Sequence, residues 1–399
     1  MRVCIDKSAL GTPESLIVND DGTFEWGPGD CEVCLFDRDR CDAPLEDLAR
    51  IAGVSLDNLR LAPEEHERAF TALGVSSASV PWFMALGRDQ FKDRVQDISR
   101  AVQEVLQDTR MAEYVKTYGQ CRRFLRGLSR PTVDLETLRR HVSECESGLS
   151  VIKTIKSFTP EADGRAPAIS YDQSGSSTGR LTVERGPSIL TLPKTCRDMI
   201  RSRTGGIFEV DFVSLEPRFV LHEMGKPAPR DIYEDIRTTV FRGELTRKVV
   251  KTATISALYG SSAALMSELT GLSHTAKSVT RRVREYFGAD ELGHRLASEA
   301  SSGVLHNHYG RPLPDLRRGE KESLLISYYV QSSCVDTVLL GFSSLCDRIK
   351  SLGARPMYVI HDALLVDVPA SSIDRFQEIC SEGIDLSVGH FELGVNRIS

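Results

Sequence analysis

Short apolar runs separated by turn-forming residues occupy the first 80 positions of the chain. Runs of this length, bounded by Gly, Asp and Pro, predict short β-strands. Asp20, Asp21 and Gly22 stand between two of the runs and predict a hairpin turn. Residues 1–80 are therefore predicted to form a small N-terminal region, to which the pattern assigns no role. The predicted strands are residues 1–6, 15–18, 23–26 and 31–36.

From about residue 82 to residue 158 the apolar positions recur every three or four residues, as on one face of a helix. A second helix is predicted to follow Pro131 as one continuous segment. This part of the chain is therefore predicted to be a helical arm with basic faces. Its clearest apolar stripe consists of Phe91, Val95, Ile98, Val102 and Val105.

Residues 161–188 are rich in Gly, Ser, Pro and Thr, which predicts a loop that contacts a ligand. Strands separated by long helical stretches follow, and a final helix and strand close the sequence. This order predicts an α+β fold whose antiparallel sheet is interrupted in sequence by a helical subdomain. The predicted elements are a strand at 205–213, helices within 244–260, 262–303 and 319–350, and a hairpin at 357–369.

The composition of the 399 residues, 41% apolar and 27% charged, is that of an ordinary globular protein. No run approaches eighteen apolar residues, so no membrane span is predicted. Asp6 and Lys7 fall where a signal peptide would need its apolar core. These features predict an intracellular, cytoplasmic protein that does not contact a membrane.

The net charge of −6 does not exclude nucleic acid, because binding depends on where the charges lie. Basic residues are concentrated in two clusters, which fit either a nucleic-acid channel or solvated helix faces. The first cluster contains Lys116, Arg122, Arg123, Arg126, Arg130, Arg139 and Arg140, and the second contains Arg242, Arg247, Lys248 and Lys251.

The ten cysteines are scattered, as expected for reduced thiols inside a cell. Cys31 and Cys34 have the C-x-x-C spacing of many zinc sites, with Cys41 nearby and Cys4 distant. A zinc site needs four ligands, and a matched second pair is missing. The spacing therefore favours strand positions over a zinc site.

Two aspartates stand out because each follows an apolar run. Asp211 ends the predicted strand IFEVDFV, and Asp362 lies between the apolar runs Met357–Ile360 and Ala363–Val366. A carboxylate is not buried at such a position without a partner. An ordinary turn explains either aspartate alone equally well. Only the two aspartates together indicate a functional site.

Between these aspartates, Arg247, Lys251, Ile255 and Tyr259 recur at intervals of four, and Gly260 follows. This spacing places the four side chains along one face of a helix. Two cations one turn apart suit phosphates, an aliphatic side chain suits a base or sugar, and an aromatic ring suits a template base. An amphipathic surface helix explains the same stripe.

Taken together and in this order, the elements resemble the DNA polymerase I family (family A). DFVSLEPR resembles the family's first palm motif, RKVVKTATISALYG its finger helix, and the pair His361-Asp362 its last palm motif. STGRL, YGRPLP and YYVQSSCVD are similar to segments that contact primer and template in the family. The resemblance covers about residues 160–399 and is weaker over the helical arm.

The resemblance implies a right-hand polymerase fold with an antiparallel-sheet palm, helical fingers and a helical thumb. It implies a DNA polymerase that extends a primer with dNTPs on primer–template DNA, acting as a monomer, with a processivity partner left open. Two Mg²⁺ ions are the implied cofactors, with Mn²⁺ as an alternative. The implied subdomains are a thumb-like region at 81–175, palm at 176–235 and 305–399, and fingers at 236–304.

The resemblance also carries site residues over to this chain. The catalytic residues are Asp211, Asp362 and Lys251, and the metal ligands are Asp211, Asp362 and Phe212. The residues implied to bind the nucleotide are Arg247, Ile255, Tyr259, Gly260 and Glu216. The residues implied to bind primer and template are Arg180, Arg218, Arg311, Gln331 and His361.

The sequence departs from the family pattern in ways that affect sugar choice and speed. Ile255 replaces an aromatic residue, and Ala363 replaces the glutamate beside the catalytic aspartate. Thr191 and Pro217 are further departures. Glu216 favours deoxynucleotides, because in the family this glutamate packs where a ribose 2′-hydroxyl would lie.

Two alternatives stay open: an RNA-synthesising or primer-making polymerase of the same fold, and a catalytically silent nucleic-acid-binding protein. The choice between replication, repair and lesion bypass also stays open. No proofreading exonuclease is expected, because the carboxylates of the first 80 residues do not assemble into a four-carboxylate site. These are Asp6, Asp20, Asp21, Asp37 and Asp39.

Overall fold

The chain, seen as a computed structural model, forms two compact units. Unit 1 comprises Met1–Arg123 and Tyr309–Pro312, and unit 2 comprises Phe124–His308 and Leu313–Ser399. The division after Arg123 falls inside the predicted helical arm, and the predicted subdomain boundaries stay predictions. The described residues are 2–19, 23–29, 31–35, 41–56, 64–75, 80, 85–260, 263–269, 275–316 and 323–398.

Unit 1 contains a four-stranded sheet in the order β3-β2-β1-β4. The strand β1 pairs antiparallel with β2 and parallel with β4. The four strands predicted from the short apolar runs are thus confirmed, while the predicted turn at residues 20–22 lies outside the described residues. The strands are β1 (Arg2–Ile5), β2 (Ser15–Asn19), β3 (Phe24–Gly27) and β4 (Val33–Leu35).

Helices cover the core face of this sheet. The predicted stripe is confirmed, because Val95, Ile98, Val102 and Val105 are buried in one cluster with the strands, and Phe91 packs against that cluster. Burial of these aliphatic side chains stabilises the unit by the hydrophobic effect. The helices are α1 (Lys7–Leu10), α2 (Leu45–Ala52), α3 (Glu64–Ala72), α4 (Arg88–Leu106) and α5 (Thr109–Arg126).

Four cysteines lie near one another in unit 1. Cys4 of β1 is the direct strand partner of Cys34 of β4, so the fold brings together residues that the sequence separates. The thiol of Cys31 lies close to that of Cys4, and a hydrogen bond with Cys34 lowers the pKa of Cys41. Among the described residues no group of three or more His, Cys, Asp and Glu side chains is arranged to hold a metal ion.

Unit 2 is built on an antiparallel sheet in the order β10-β11-β9-β14. The ladder between β11 and β9 is continuous over seven residue pairs, from Ala363 opposite Asp211 to Pro369 opposite Gly205. The predicted strand and hairpin are confirmed. The four strands are β9 (Gly205–Phe212), β10 (Arg355–Ile360), β11 (Ala363–Pro369) and β14 (Leu393–Arg397).

Three two-stranded pairs accompany this sheet. They are β5 (Thr132–Val133) with β8 (Ile200–Arg201), β6 (Ser170–Asp172) with β7 (Thr182–Arg185), and β12 (Ile384–Leu386) with β13 (Gly389–Phe391).

The helix predicted after Pro131 is interrupted, which corrects the expectation of one continuous segment. The first piece ends at Ser143 with Glu144 as its cap, and Gly148, at φ 93°, precedes the second. Glycine adopts this backbone conformation without strain, so it separates the two pieces. The helices around this break are α6 (Leu135–Ser143) and α7 (Leu149–Lys156).

The remaining helices pack around the sheet of unit 2. They are α8 (Leu215–Glu223), α9 (Ile232–Asp235), α10 (Arg247–Tyr259), α11 (Ala263–Glu268), α12 (Ala276–Phe287), α13 (Ala289–Ser302), α14 (Ser323–Ile349) and α15 (Ile373–Ser381). Single-turn helical segments are Ile189–Thr191, Lys194–Met199, Ile236–Val240, Lys350–Leu352 and Ala370–Ser372.

The helix α14 runs through the core of unit 2. One segment of the described chain, Leu324–Leu352, is long and apolar enough to span a membrane, but 72% of its apolar window is buried inside the fold. A buried core helix passes this test of length and composition, so the finding is weak evidence for a span.

A buried carboxylate joins α8, α13 and α14. Glu223 accepts hydrogen bonds from Arg295 Nη2 at 2.6 Å and from His308 Nδ1 at 3.0 Å, and Tyr329 also interacts with it. Only 8% of the Glu223 side chain is exposed. Burial alone would raise the pKa of this carboxyl, but its hydrogen-bonding partners lower it to about 2.

Much of the basic run between Lys116 and Arg140 is neutralised within the protein. Four of its seven basic residues form ion pairs with acidic side chains, so these charges are not all available to a nucleic acid. The pairs are Arg122–Asp47 at 3.2 Å, Arg123–Asp42 at 2.7 Å, Arg130–Glu161 at 2.6 Å and Arg140–Asp198 at 3.2 Å.

Candidate active site

The central strand β9 places Asp211 near its carboxyl end. Ile207, Phe208 and Val210 are buried, so the strand is anchored in the core. Asp211 lies opposite Ala363 of β11 on one side and Gly394 of β14 on the other. Strands on both sides therefore fix the backbone that carries this carboxylate.

Asp362 lies in the two-residue turn between β10 and β11. The turn begins at His361, whose φ of 57° is in the left-handed region. A non-glycine residue is held in this region at a cost of about 1–3 kcal/mol, and such strain is common at functional sites. The amide of Phe212 donates to the Asp362 carbonyl oxygen at 3.2 Å, which ties the turn to β9.

The two carboxylates influence each other electrostatically. Burial, followed by the Asp362 and Glu209 carboxylates, raises the pKa of Asp211, and Lys194 opposes the rise. The Oδ1 atom of Asp211 is buried and has no hydrogen-bond partner among the described residues. Two like charges with an unsatisfied oxygen fit hard divalent cations such as Mg²⁺.

The Phe212 side chain does not face this site. It is buried against Phe342 and Phe391, with ring centroids 5.1 and 5.8 Å away. The predicted metal ligation by Phe212 therefore requires its backbone carbonyl.

Gly394 leaves room for the Asp211 carboxylate. A Cβ atom at Gly394 would lie 2.7 Å from Asp211 Oδ1, which is closer than such atoms approach without displacement. A glycine inside a strand is typical of sites where another group approaches closely. Gly394 thus belongs to the surroundings that hold this carboxylate in place.

We expect Gly394→Ala to weaken divalent-cation binding at Asp211 about 10- to 100-fold, the loss typical when a neighbour of a metal ligand is changed. Mn²⁺ binding to wild type and variant is measured by electron paramagnetic resonance. Val395→Ala at the neighbouring position serves as the control. A folded Gly394→Ala protein with normal metal dependence would show that the carboxylate tolerates the methyl group.

The helix α10 presents the predicted stripe to these carboxylates. It begins after Thr246, whose side chain accepts from the Val249 amide, and it ends at Gly260 with φ 74°. Both ends therefore have regular caps. The predicted helix and its C-cap are confirmed.

A cavity of about 340 Å³ in unit 2 contains most of the predicted catalytic and nucleotide-binding residues. The structure thus brings together side chains that are up to 151 positions apart in the chain, from Asp211 to Asp362. From the predicted set the cavity is lined by Asp211, Phe212, Glu216, Arg247, Lys251, Ile255, Tyr259 and Asp362.

Glu216 and Tyr259 face each other in this cavity. Burial, followed by the charge of Glu216, raises the pKa of Tyr259, so the phenol is neutral. A neutral hydroxyl beside a carboxylate can donate a hydrogen bond to it. Ile255 is 44% exposed and offers an apolar surface one turn before Tyr259.

A second cavity of about 410 Å³ shares Glu216 and Asp362 with the first. Three of the residues predicted to bind primer and template line it: Arg180, Gln331 and His361. Its other lining residues include apolar side chains such as Leu181 and Val335. A mixed surface next to the carboxylates fits the sugars and base edges of a bound nucleic acid.

The other two predicted primer–template residues line neither cavity and are buried. Arg218 donates to the carbonyl oxygens of Ala228, Pro229 and Arg230, which holds the loop after α8. Arg311 belongs to unit 1 and donates to the Tyr114 hydroxyl at 3.2 Å. Their contacts favour structural roles.

Several residues at the site were not predicted. Among them, Asp231 pairs with Arg247, Tyr233 lines the first cavity, and Gly394 adjoins Asp211. Gly394 is an isolated glycine in the last predicted strand, and such a glycine indicates that another group approaches the strand closely. An aspartate three residues before Glu234 was a helix-start signal, but nothing in the sequence indicates its ion pair.

Comparisons with known proteins find sequence relatives and a similar solved structure, although no family model matches the chain. DNA polymerase I from Thermus caldophilus is 21% identical over 248 residues, 54% of this chain and 29% of that protein. The Thermus filiformis enzyme is 23% identical over 311 residues, 68% and 36% of the two chains. DNA polymerase of Mycobacterium phage L5 is 31% identical over 145 residues, which are 34% of this chain and 23% of that protein.

Among solved structures, the POL domain of Pol1 from M. smegmatis, in complex with DNA primer-template and dNTP, matches with a TM-score of 0.65. The match covers 96% of this chain and 92% of that chain at 14% identity. The fold is therefore an α+β polymerase fold. The predicted resemblance to the polymerase domain of the DNA polymerase I family is confirmed. The chain matches about a quarter to a third of the length of these sequence relatives.

Proposed function

We propose that this chain is a template-directed DNA polymerase that extends a primer 3′-hydroxyl with dNTPs. The observation that carries the proposal is the convergence of Asp211, Asp362, Arg247, Lys251 and Glu216 on one cavity. Paired carboxylates beside two cations suit a reaction between a polyanionic triphosphate and a hydroxyl. The names of the sequence relatives and of the solved structure support this reaction class.

Asp211 and Asp362, with the Phe212 carbonyl, are proposed to hold two Mg²⁺ ions, or Mn²⁺ in their place. When bound, such ions would lower the pKa of the primer hydroxyl and neutralise the leaving pyrophosphate. The buried, unpaired Oδ1 of Asp211 and the raised pKa of this carboxyl both support cation binding here.

Lys251 and Arg247 are proposed to bind the β- and γ-phosphates, because preorganised cations stabilise charge strongly where water is excluded. Ile255 would support the base or sugar, and Tyr259 with Gly260 would lie near the template base. Movement of α10 toward the carboxylates would then test the fit of a base pair before reaction. Arg180, Gln331 and His361 are proposed to contact the primer–template DNA.

Glu216 is proposed to select the sugar. It lines both cavities and faces the neutral Tyr259 hydroxyl, so a pair of side chains closes the space beside the sugar. A ribose 2′-hydroxyl there would displace the Tyr259 hydroxyl or meet the Glu216 carboxylate. Deoxynucleotides avoid both contacts.

The test is extension of a labelled primer on a DNA template with Mg²⁺, comparing dNTPs with rNTPs. We expect wild type to prefer dNTPs by at least about 100-fold, the discrimination of a site that rejects one misplaced hydroxyl. Glu216→Ala should reduce that preference, whereas Glu392→Ala, a control at a carboxylate outside both cavities, should not. Extension with neither substrate would contradict the proposed function.

A second candidate function is RNA synthesis or primer making on the same fold. Ile255 and Ala363 permit it, since both depart from the DNA polymerase pattern, whereas Glu216 argues against it. Comparable use of rNTPs and dNTPs by wild type in the same assay would establish it. We propose further that the enzyme lacks proofreading, and trimming of a mismatched primer 3′ end would contradict this. Because the relatives are bacterial and phage proteins, we propose that it acts inside such a cell.

A further inference from the structure

Arg247, one of the two cations proposed to bind the triphosphate, is held by a carboxylate. Its Nε donates to Asp231 Oδ2 at 3.0 Å, and its Nη2 donates to Asp231 Oδ1 at 3.2 Å. Two parallel hydrogen bonds of this kind fix both the position and the plane of the guanidinium. Arg247 lines the cavity, but Asp231 does not, so the carboxylate holds Arg247 from outside the nucleotide space.

Asp231 is itself fixed by the backbone. It is the N-cap of α9, and its Oδ1 also accepts from the Glu234 amide at 3.1 Å. The Arg247 guanidinium lies over the ring of Tyr233, 5.3 Å from the ring centre, and that ring is buried. The two hydrogen bonds to Asp231 and the contact with the Tyr233 ring thus define one resting position for Arg247.

The second cation of the stripe is in a different state. Lys251 follows one helical turn later, is exposed and lines the same cavity. In the described part of the chain it forms no ion pair. One cation is therefore free to attract phosphates, while the other is neutralised until its carboxylate is displaced.

We propose that Asp231 is a specificity-determining residue that competes with the incoming nucleotide for Arg247, and so reduces the advantage of a triphosphate over a diphosphate. This inference rests on the proposed function. A ligand that engages Arg247 must first displace Asp231, which costs it binding free energy. A triphosphate reaches Lys251 and Arg247 together and bears this cost, whereas a diphosphate held by Lys251 alone leaves the pair intact.

The test replaces Asp231 by Asn, which removes the charge but keeps a side chain that caps a helix well. Dissociation constants for dATP and dADP are measured by calorimetry on the protein with a bound primer–template whose primer lacks a 3′-hydroxyl, so that dATP binds but is not incorporated. We expect dATP to bind about fivefold tighter and dADP at most about twofold tighter, the range expected for one half-exposed ion pair. The preference for triphosphate should therefore rise, and Asp231→Ser, which also caps, should give the same result.

Glu234→Gln is the matched control, because it makes the same charge change in the same helix but removes a partner of Arg237. It should leave both dissociation constants unchanged. In an Arg247→Gln background, Asp231→Asn should also have no effect, since the competition requires the guanidinium.

Unchanged or weaker nucleotide binding by Asp231→Asn would overturn the inference and leave Asp231 as a structural cap. That outcome is distinct from failure of the proposed function. A wild-type protein that neither binds dATP nor extends a primer would contradict the function itself, whereas an active wild type with an unaffected Asp231→Asn variant contradicts the competition alone.

Discussion

Asp362→Asn should reduce primer extension by a factor on the order of 1,000 or more. Removing a metal ligand forfeits several kcal/mol of charge stabilisation in the transition state, and each 1.4 kcal/mol is a factor of ten in rate. Asp211→Asn should have an effect of the same size. Extension is measured with labelled primer–template at saturating dNTP, and DNA binding by fluorescence anisotropy.

Asp211→Asn should not lower the stability of the metal-free protein. Its carboxyl pKa is raised in the fold by burial and by Asp362, so the ionised form is disfavoured there. The protonated Asp211 carboxyl group therefore contributes to folding stability below the ordinary carboxylate pKa. This contribution is lost as pH rises through the raised pKa of the folded state. At neutral pH, Asn removes this penalty, and the midpoint of thermal unfolding should stay equal or rise.

Asp374→Asn is the control for both measurements, because Asp374 is exposed on α15 and lines neither cavity. It should change neither extension nor stability. An Asp362→Asn protein that extends primers at the wild-type rate would contradict the metal assignment. Loss of extension together with loss of folding would instead place the aspartate among the residues that stabilise the sheet.

The second large effect is expected for Glu223→Gln, which should lower the free energy of unfolding by about 2–3 kcal/mol. The substitution replaces charge-assisted hydrogen bonds from Arg295 and His308 to a buried carboxylate by weaker ones. Chemical denaturation of wild type and variant at pH 7 measures the difference. Glu378→Gln, which breaks an exposed pair with Arg375, should leave the free energy of unfolding unchanged within the precision of the measurement.

The effect of Glu223→Gln should depend on pH in a defined direction. The folded pKa of Glu223 is about 2, below its ordinary value of 4.5. The ionised carboxylate therefore contributes its full stability above pH 4.5, and this contribution is lost as pH falls toward 2. The stability gap between wild type and variant should narrow over that interval. A gap that stays constant would show that the loss is due to packing.

Local patterns predicted the elements that carry the proposed chemistry. The strand ending at Asp211 and the hairpin around Asp362 each follow from apolar runs, and the stripe of α10 follows from its spacing of four. These signals depend on neighbouring residues, so one sequence suffices. Bringing the three elements to one cavity required the resemblance, because no local pattern specifies which strands pair.

The features that the sequence did not predict depend on contacts between distant residues. Cys4 lies beside Cys34 because their strands pair in parallel, and Asp231 meets Arg247, sixteen positions later, across a segment that contains α9. The break before Gly148 falls in a polar stretch, residues 143–147, and one isolated glycine does not decide between a continuous helix and two helices. Arg218 was assigned to DNA by its motif position, yet its donors are used by backbone carbonyls, which only the fold reveals.

The ladder between β9 and β11 has a consequence for how the site responds to partial unfolding. Asp362 directly precedes the first pair of this ladder, and Asp211 belongs to it, so the two carboxylates keep their separation while the ladder is closed. Helices at the periphery can open and close without moving one carboxylate relative to the other. Central strands are the last part of a domain to exchange their amide protons. The proposed metal-binding geometry should therefore share the lifetime of the whole fold, while the nucleotide selection proposed for α10 should follow the faster local motions.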